Sequence, residues 1–218
     1  VNVRENYLRI TDKIHRAAGR SGRDAASIRF IAVTKTVPLD RIREAVEGGI
    51  RDIGENRLQE ALSKRDALKD LPLTWHFIGH LQTNKARKVV ENFHWIQCLD
   101  RPELGEKLNQ AAANVLPVLV EVKLHDEPNK AGADAEQLPA LIEQFKRYDH
   151  LSLKGLMAIP PFFDNPEDAR PFFRKLRKLA ERFRLPELSM GMSHDFEVAI
   201  EEGATMVRIG TALFGERA

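Results

Sequence analysis

The sequence predicts an α/β fold, a single (β/α)8 barrel closed by a helix that precedes its first strand. Three observations predict it. Eight short apolar runs alternate with seven amphipathic segments of helical length, the alternation of parallel strands with right-handed crossovers. No G-x-G-x-x-G follows the first run, which speaks against an open dinucleotide-binding sheet. After the eighth run, "MVRIGTALFGERA", no segment of helical length follows, so the N-terminal segment is expected to fill that place in the helical ring.

Taken in order, Val3, Tyr7, Ile10, Ile14 and Ala17/Ala18 recur at helical spacing, with Gly19 and Gly22 expected to end the helix. The first strand is read in "IRFIAVTKTVP", where Ile28, Phe30, Ile31, Ala32 and Val33 form a run apolar on both faces. Pro38 then sits where a helix can begin. Strands are expected at 28–35, 50–54, 75–79, 95–99, 117–122, 151–159, 187–192 and 206–214. Helices are expected at 39–48, 56–70, 83–93, 102–114, 134–147, 166–184 and 193–202. No linker, repeat or low-complexity tract interrupts the series, so residues 1–218 are read as one domain without a second.

At this length a chain buries roughly 70% of its unfolded surface, enough for a core without staples. The 34 basic and 32 acidic residues nearly cancel, and a net charge of +2 gives no reason to expect a nucleic-acid partner. Cys98 is the sole cysteine, inside the apolar run "HWIQCLD", and reads as a buried inert thiol. The N-terminus has no apolar signal-like region and no run approaches the ~20 residues of a membrane span. A cytoplasmic location without membrane partners is the expectation.

In a parallel barrel, chemistry sits at the carboxyl ends of the strands. Those ends carry Lys35, Gly54-Glu55-Asn56, His76 to His80, Asp100, Lys123, Met157 with Ile159, Met192-Ser193, and Arg208 with Gly210-Thr211. Period-two alternation puts Ile31, Val33 and Lys35 on one face, Met206, Arg208 and Gly210 on one face, and Leu153, Gly155, Met157 and Ile159 on another. If these faces are inward, Lys35 and Arg208 point to the axis from adjacent strands. Lys35 then either extends into solvent or is held amine-first in a pocket. In the pocket, burial and the neighbouring guanidinium would lower its pKa and make it nucleophilic toward carbonyls.

Ser193 follows the seventh strand at the start of an amphipathic segment and reads as a helix N-cap; Gly210 and Thr211 lie in the turn of the eighth strand. Loops after strands seven and eight are common phosphate sites in barrels, although Ser193 as a purely structural cap is the alternative. A carbonyl-seeking lysine, an arginine and a phosphate cradle together suggest pyridoxal phosphate (PLP), whose ring nitrogen commonly faces an Asp or Arg.

The sequence also resembles the pyridoxal-phosphate homeostasis proteins, related to the N-terminal barrel of alanine racemase. The resemblance is carried over nearly the whole chain by "AVTKT", "GEN", "WHFIGHLQTNK", "NKAG", "GLMAIPP", "GMSHDFEVAI" and "MVRIGTALFG" in order. It implies that Lys35 forms the Schiff base with pyridoxal 5'-phosphate and that Asn56, His76 and Met157 surround the ring. It implies further that Ser193, Gly210 and Thr211 hold the phosphate and that Arg208 faces the ring nitrogen. His80 stands where many relatives have proline, Val37 where some have a second lysine, and Ala131 where a serine is found, next to a retained Lys130.

Two functions follow from these residues. An arginine at the ring nitrogen donates to an unprotonated pyridine and weakens the ring as an electron sink. Racemisation also needs an acid or base on each face of the substrate carbon. Tyr7 and Tyr148, the only tyrosines, fall in the N-terminal helix and before strand six, away from the strand ends. The expected function is therefore a non-catalytic carrier that buffers or delivers PLP. Its partners are amines or amino acids that form external aldimines, and apo-forms of PLP enzymes. The alternative is a PLP-dependent racemase or other Schiff-base enzyme with His76 or His80 as second base. The basic face of "ARPFFRKLRKLAERFR" reads as the solvated side of an outer helix, and the histidines form no metal-binding spacing.

Overall fold

Helix α1 (Val3–Arg20) forms because its apolar residues recur every three to four positions, and Asn2 caps it by accepting a hydrogen bond from the Glu5 amide at 3.1 Å. Val3, Ile10, Ile14, Ala17 and Ala18 are the residues it buries. Gly19 lies within the helix rather than ending it; the stop falls at Ser21 and at Gly22, whose φ of +67° favours glycine.

The computed structural model describes residues 2–125 and 131–216. Its strands are β1 (Arg29–Val33), β2 (Asp52–Glu55), β3 (Thr74–Phe77), β4 (Trp95–Leu99), β5 (Leu116–Glu121), β6 (Leu151–Met157), β7 (Glu187–Ser189) and β8 (Met206–Ile209). Each pairs in parallel with the next, and β8 pairs with β1 to close the barrel. Around it lie α2 (Leu39–Gly48), α3 (Leu58–Ala67), α4 (Ala86–Asn92), α5 (Pro102–Ala111), α6 (Leu138–Phe145), α7 (Arg170–Phe183), α8 (Phe196–Glu201) and α9 (Thr211–Phe214). Helix α1 packs against α2, α8 and α9, so the N-terminal segment does fill the vacant place in the ring.

Alternation sorts the strands into two cores. Ala32, Ile53, Phe77, Ile96, Val118, Leu156 and Val207 face the helices, while Ile31, Leu119, Met157 and Met206 pack inside the barrel. Ile31 and Arg208 are register partners, so Arg208 enters the barrel one step above Met206.

Four expectations change, the first being that β7 ends at Ser189 and not at 192. The eighth strand ends at Ile209, and Thr211–Phe214 turns into a short helix instead of continuing to 214. The first strand ends at Val33, so Lys35 lies in the following turn. On β6 the pairing shifts between Val118/Leu153 and Leu119/Gly155, with Lys154 as the extra, exposed residue. Past such a bulge the alternation reverses, and Leu153 packs with the outer core while Met157 and Ile159 pack inside.

Candidate functional site

Lys35 is flanked on both sides by anchored backbone. The Thr34 amide continues the ladder to the Gly54 carbonyl at 3.1 Å, and its Oγ1 donates to Glu55 Oε1 at 2.6 Å. The Thr34 carbonyl accepts from Lys64 Nζ at 2.5 Å, and the Thr36 amide donates to Glu60 Oε1 at 2.5 Å. Lys64 Nζ also donates to Glu55 Oε1 at 2.7 Å and Glu60 Oε1 at 2.6 Å. Thr36 sits at φ +63°, an uncommon conformation for a threonine, which these bonds hold in place. Burial pushes the Glu55 pKa up despite the hydrogen bonds from Lys64 and Thr34. Glu55, named at a strand end without this role, and Lys64, which the sequence reading did not single out, therefore fix the turn carrying Lys35. The i, i+4 spacing of Glu60 and Lys64 was the one legible signal.

Asn56 follows β2, and its Oδ1 is buried without a hydrogen-bond partner. The backbone at Gly79 comes so close that an added Cβ would lie 2.3 Å from the Asn56 carbonyl oxygen, so only glycine fits there.

Arg208 is buried inside the barrel. Its Nη1 donates to Ser189 Oγ at 2.6 Å and its Nη2 to the Ala158 carbonyl, next to Met157, at 3.0 Å. Burial lowers its pKa to about 10, against the pull of Glu121 and Asp195, so the guanidinium stays charged at neutral pH.

Ser193 does not cap α8. Asp195 occupies the cap position, and its Oδ1 accepts from the Met192 amide at 2.7 Å. Ser193 Oγ instead accepts from the amides of Gly210 at 3.2 Å and Ala212 at 3.1 Å, joining the loops after β7 and β8. Two acceptor positions are filled, which leaves its hydroxyl proton to donate. The Gly210 amide is spent on Ser193, and Thr211 opens α9 with an exposed side chain.

His76 is fully buried, with Nε2 at 2.8 Å from Asp52 Oδ1, Nδ1 at 3.1 Å from Gln97 Nε2 and its ring stacked on Trp95 at 5.8 Å. Burial holds its pKa below the ordinary histidine value although Asp52 pulls the other way. It thus lies in the barrel interior, linked to Arg208 through Gln97 and Ser189, rather than lining the mouth as the sequence suggested. His80 is exposed. Tyr7 stacks on Phe30 and lies against Gly49, and Tyr148 stacks on Phe145; both are away from the carboxyl ends of the strands. Lys123 pairs with Asp134 at 3.7 Å, while Lys130 lies outside the described residues. Burial raises the Cys98 pKa well above the usual thiol value. Among the described residues no three metal-binding side chains cluster, and no helix is long and apolar enough to cross a membrane.

Residues 9–218 match the family model "Alanine racemase, N-terminal domain". The chain is 47% identical over 226 residues to the "Pyridoxal phosphate homeostasis protein" of Aquifex aeolicus, covering 100% of this chain and 99% of that protein. The chain belongs to the pyridoxal phosphate homeostasis protein family. The member of the same name from Pseudomonas aeruginosa is 46% identical, with 99% of this chain and 96% of that protein covered. The structure of PipY from Synechococcus elongatus with PLP bound superposes with a TM-score of 0.83 at 40% identity, covering 93% of this chain and 100% of that one. Alanine racemase of Corynebacterium glutamicum shares the fold (TM-score 0.71, 17% identity), with 98% of this chain and 61% of the racemase covered.

Proposed function

We propose that this chain binds pyridoxal 5'-phosphate reversibly at the carboxyl end of the barrel and buffers or delivers it within PLP homeostasis. The observation that carries this reading is the PLP-bound family member of the same fold at 40% identity, taken with a site here that suits the group. The donor set fits: a lysine in an anchored turn, a serine proton free to donate, a buried guanidinium, and an Asn56 oxygen lacking a partner. When bound, PLP supplies an aldehyde that condenses with a primary amine and a pyridine ring that withdraws electrons.

Each residue then has a task. Lys35 offers the amine, and the Glu55–Lys64–Glu60 cluster holds its turn. Ser193, with the backbone around Gly210 and Thr211, binds the phosphate. Met157, at the end of β6, and Asn56, after β2, flank the ring, and Arg208 donates to the ring nitrogen. A permanently protonated guanidinium keeps that nitrogen unprotonated, which restrains carbanion chemistry.

The same geometry supports a non-catalytic role. Racemisation requires a second acid–base group opposite Lys35. His76 has both nitrogens engaged and is fully buried, and neither tyrosine lies near the strand ends, which leaves the exposed His80 as the base on which the racemase alternative rests. Loaded protein incubated with single enantiomers of amino acids should change its spectrum without forming the opposite enantiomer. Mixed with apo-forms of PLP enzymes, it should restore their activity. Sustained turnover abolished by Lys35→Ala would make the chain an enzyme and contradict the carrier reading.

A further inference from the structure

A file of hydrogen-bonded polar side chains crosses the barrel interior, beside the buried carboxylate of Glu121. From the mouth it runs Arg208, Ser189, Gln97, His76 and Asp52, and Arg29 closes it at the far end. The links are 2.6 Å from Arg208 to Ser189, 2.6 Å from Ser189 to Gln97, 3.1 Å from Gln97 to His76, and 2.8 Å from His76 to Asp52. Arg29 donates to the same Asp52 oxygen at 2.9 Å. Ser189, Gln97 and His76 are fully buried, and Ile31, Leu119, Met157 and Met206 pack within the same interior.

The charges at the two ends determine every hydrogen between them. A guanidinium only donates, so Ser189 Oγ accepts and its proton goes to Gln97 Oε1. That bond turns the Gln97 amide nitrogen toward His76, whose Nδ1 must then accept. The His76 proton therefore sits on Nε2 and is donated to Asp52. With the amide reversed, Ser189 would face two donors with no acceptor for its own proton, and His76 would either turn a lone pair on a carboxylate or carry a second proton in a fully buried site. Either way the reversed arrangement leaves a buried mismatch. The middle of the chain is an amide, which passes no proton on, so the file fixes orientation and does not conduct.

We propose that Ser189 and Gln97, backed by His76 and Asp52, are positioning residues that lock Arg208 as an oriented donor toward the cofactor's ring nitrogen. With one proton of Nη1 spent on Ser189 and one of Nη2 on the Ala158 carbonyl, the plane of the guanidinium is set before any ligand arrives. This deepens the function proposed above and rests on Arg208 facing the ring. The carboxylates of Glu121 and Asp195 act on Arg208 through their charge, and the charged groups around His76 are Asp52, Arg29 and His94.

The first test needs no substitution. In the native protein labelled with ¹⁵N-histidine, with and without PLP, His76 should be neutral with its proton on Nε2 at pH 7. A charged ring, or a proton on Nδ1, overturns the proposal. The second compares Ser189→Ala, Ser189→Thr, Gln97→Leu and Arg208→Lys, each loaded with PLP and checked for cooperative melting. Ser189→Ala and Gln97→Leu should weaken PLP binding by about tenfold, the loss of one hydrogen bond to a charged group. They should also shift the pH titration of the bound cofactor's visible band, and Ser189→Thr, which keeps the hydroxyl, should restore both. If Arg208→Lys moves the band's titration while Ser189→Ala and Gln97→Leu leave it native, the positioning proposal fails and the placement of Arg208 survives. If Arg208→Lys leaves it native too, the placement fails and the proposal falls with it.

Discussion

At the barrel mouth, Ser193 Oγ accepts two backbone N–H groups, from Gly210 and Ala212, and is left with one proton to give. Under the proposed function that proton goes to the cofactor's phosphate. Ser193→Ala should weaken PLP binding by about ten- to a hundredfold, the range for a hydrogen bond to a charged partner. Binding of pyridoxal, which lacks the phosphate, should change little. Titration of both ligands against both proteins checks this, and an equal loss for pyridoxal would place Ser193 elsewhere. The residue's place in the loop after the seventh strand was legible, but it is not the expected cap, because Asp195 takes that position on α8. Ser193's partners were not legible. They lie 17 and 19 residues further on, and nothing in local periodicity reports them. Gln97 and Ser189 escaped for the same reason, being partners 92 residues apart in two apolar runs. A lone glutamine inside "HWIQCLD" was the available clue, since a buried amide needs a partner.

At the level of elements, the turn after β1 is held by α3 through Lys64. Side chains of Glu55 and Lys64 are both buried, so removing one leaves an uncompensated charge. Lys64→Met should cost about 3–5 kcal/mol in denaturant unfolding, and a change below about 1 kcal/mol would show the pair to be dispensable. The pH dependence has a defined sign. Glu55's folded pKa lies above its ordinary 4.5, so the folded state holds that proton more tightly and Glu55's contribution falls as pH rises from 4.5 through the folded value. Glu197, Glu201 and Glu202 behave oppositely. Burial is outweighed by hydrogen bonds from Lys13 and Arg20, from Arg170 and Arg20, and from Arg174 and Arg170 respectively, and each pKa is lowered. Their contribution is complete above the ordinary 4.5 and is lost as pH falls through the depressed folded values. Melting temperatures across pH 3–7 should show both limbs, with Glu55→Gln flattening only the upper one. The same carboxylates bind α1 and α7 to the short α8, so much of the basic face of α7 is engaged in closing the helical ring.

For the whole molecule, the alternation of apolar runs and helical segments fits an open sheet as well as a barrel, and the count of eight runs with no G-x-G-x-x-G after the first made the barrel, with α1 as its closing helix, the reading. The pattern is uninterrupted in β1 and β8, so period two grouped the residues of each strand by face, and the structure turns the face with Ile31 and that with Arg208 inward. It failed on β6, where the bulge at Lys154 reverses the faces and one extra residue leaves no periodic trace. It failed also after β8, where "GTALFG" is as apolar as a strand and coils into α9. A ligand that binds only the folded barrel stabilises it, and PLP at a hundred times its dissociation constant should add about 2.7 kcal/mol to unfolding. A melting temperature that rises with PLP and not with inorganic phosphate alone checks that linkage. The most direct measurement is borohydride reduction of the PLP-loaded native protein followed by peptide mapping. The account predicts a stable adduct on Lys35, with both adduct and visible band lost in Lys35→Ala. An adduct on Lys123 or Lys64 instead, or a visible band undiminished in Lys35→Ala, would contradict it.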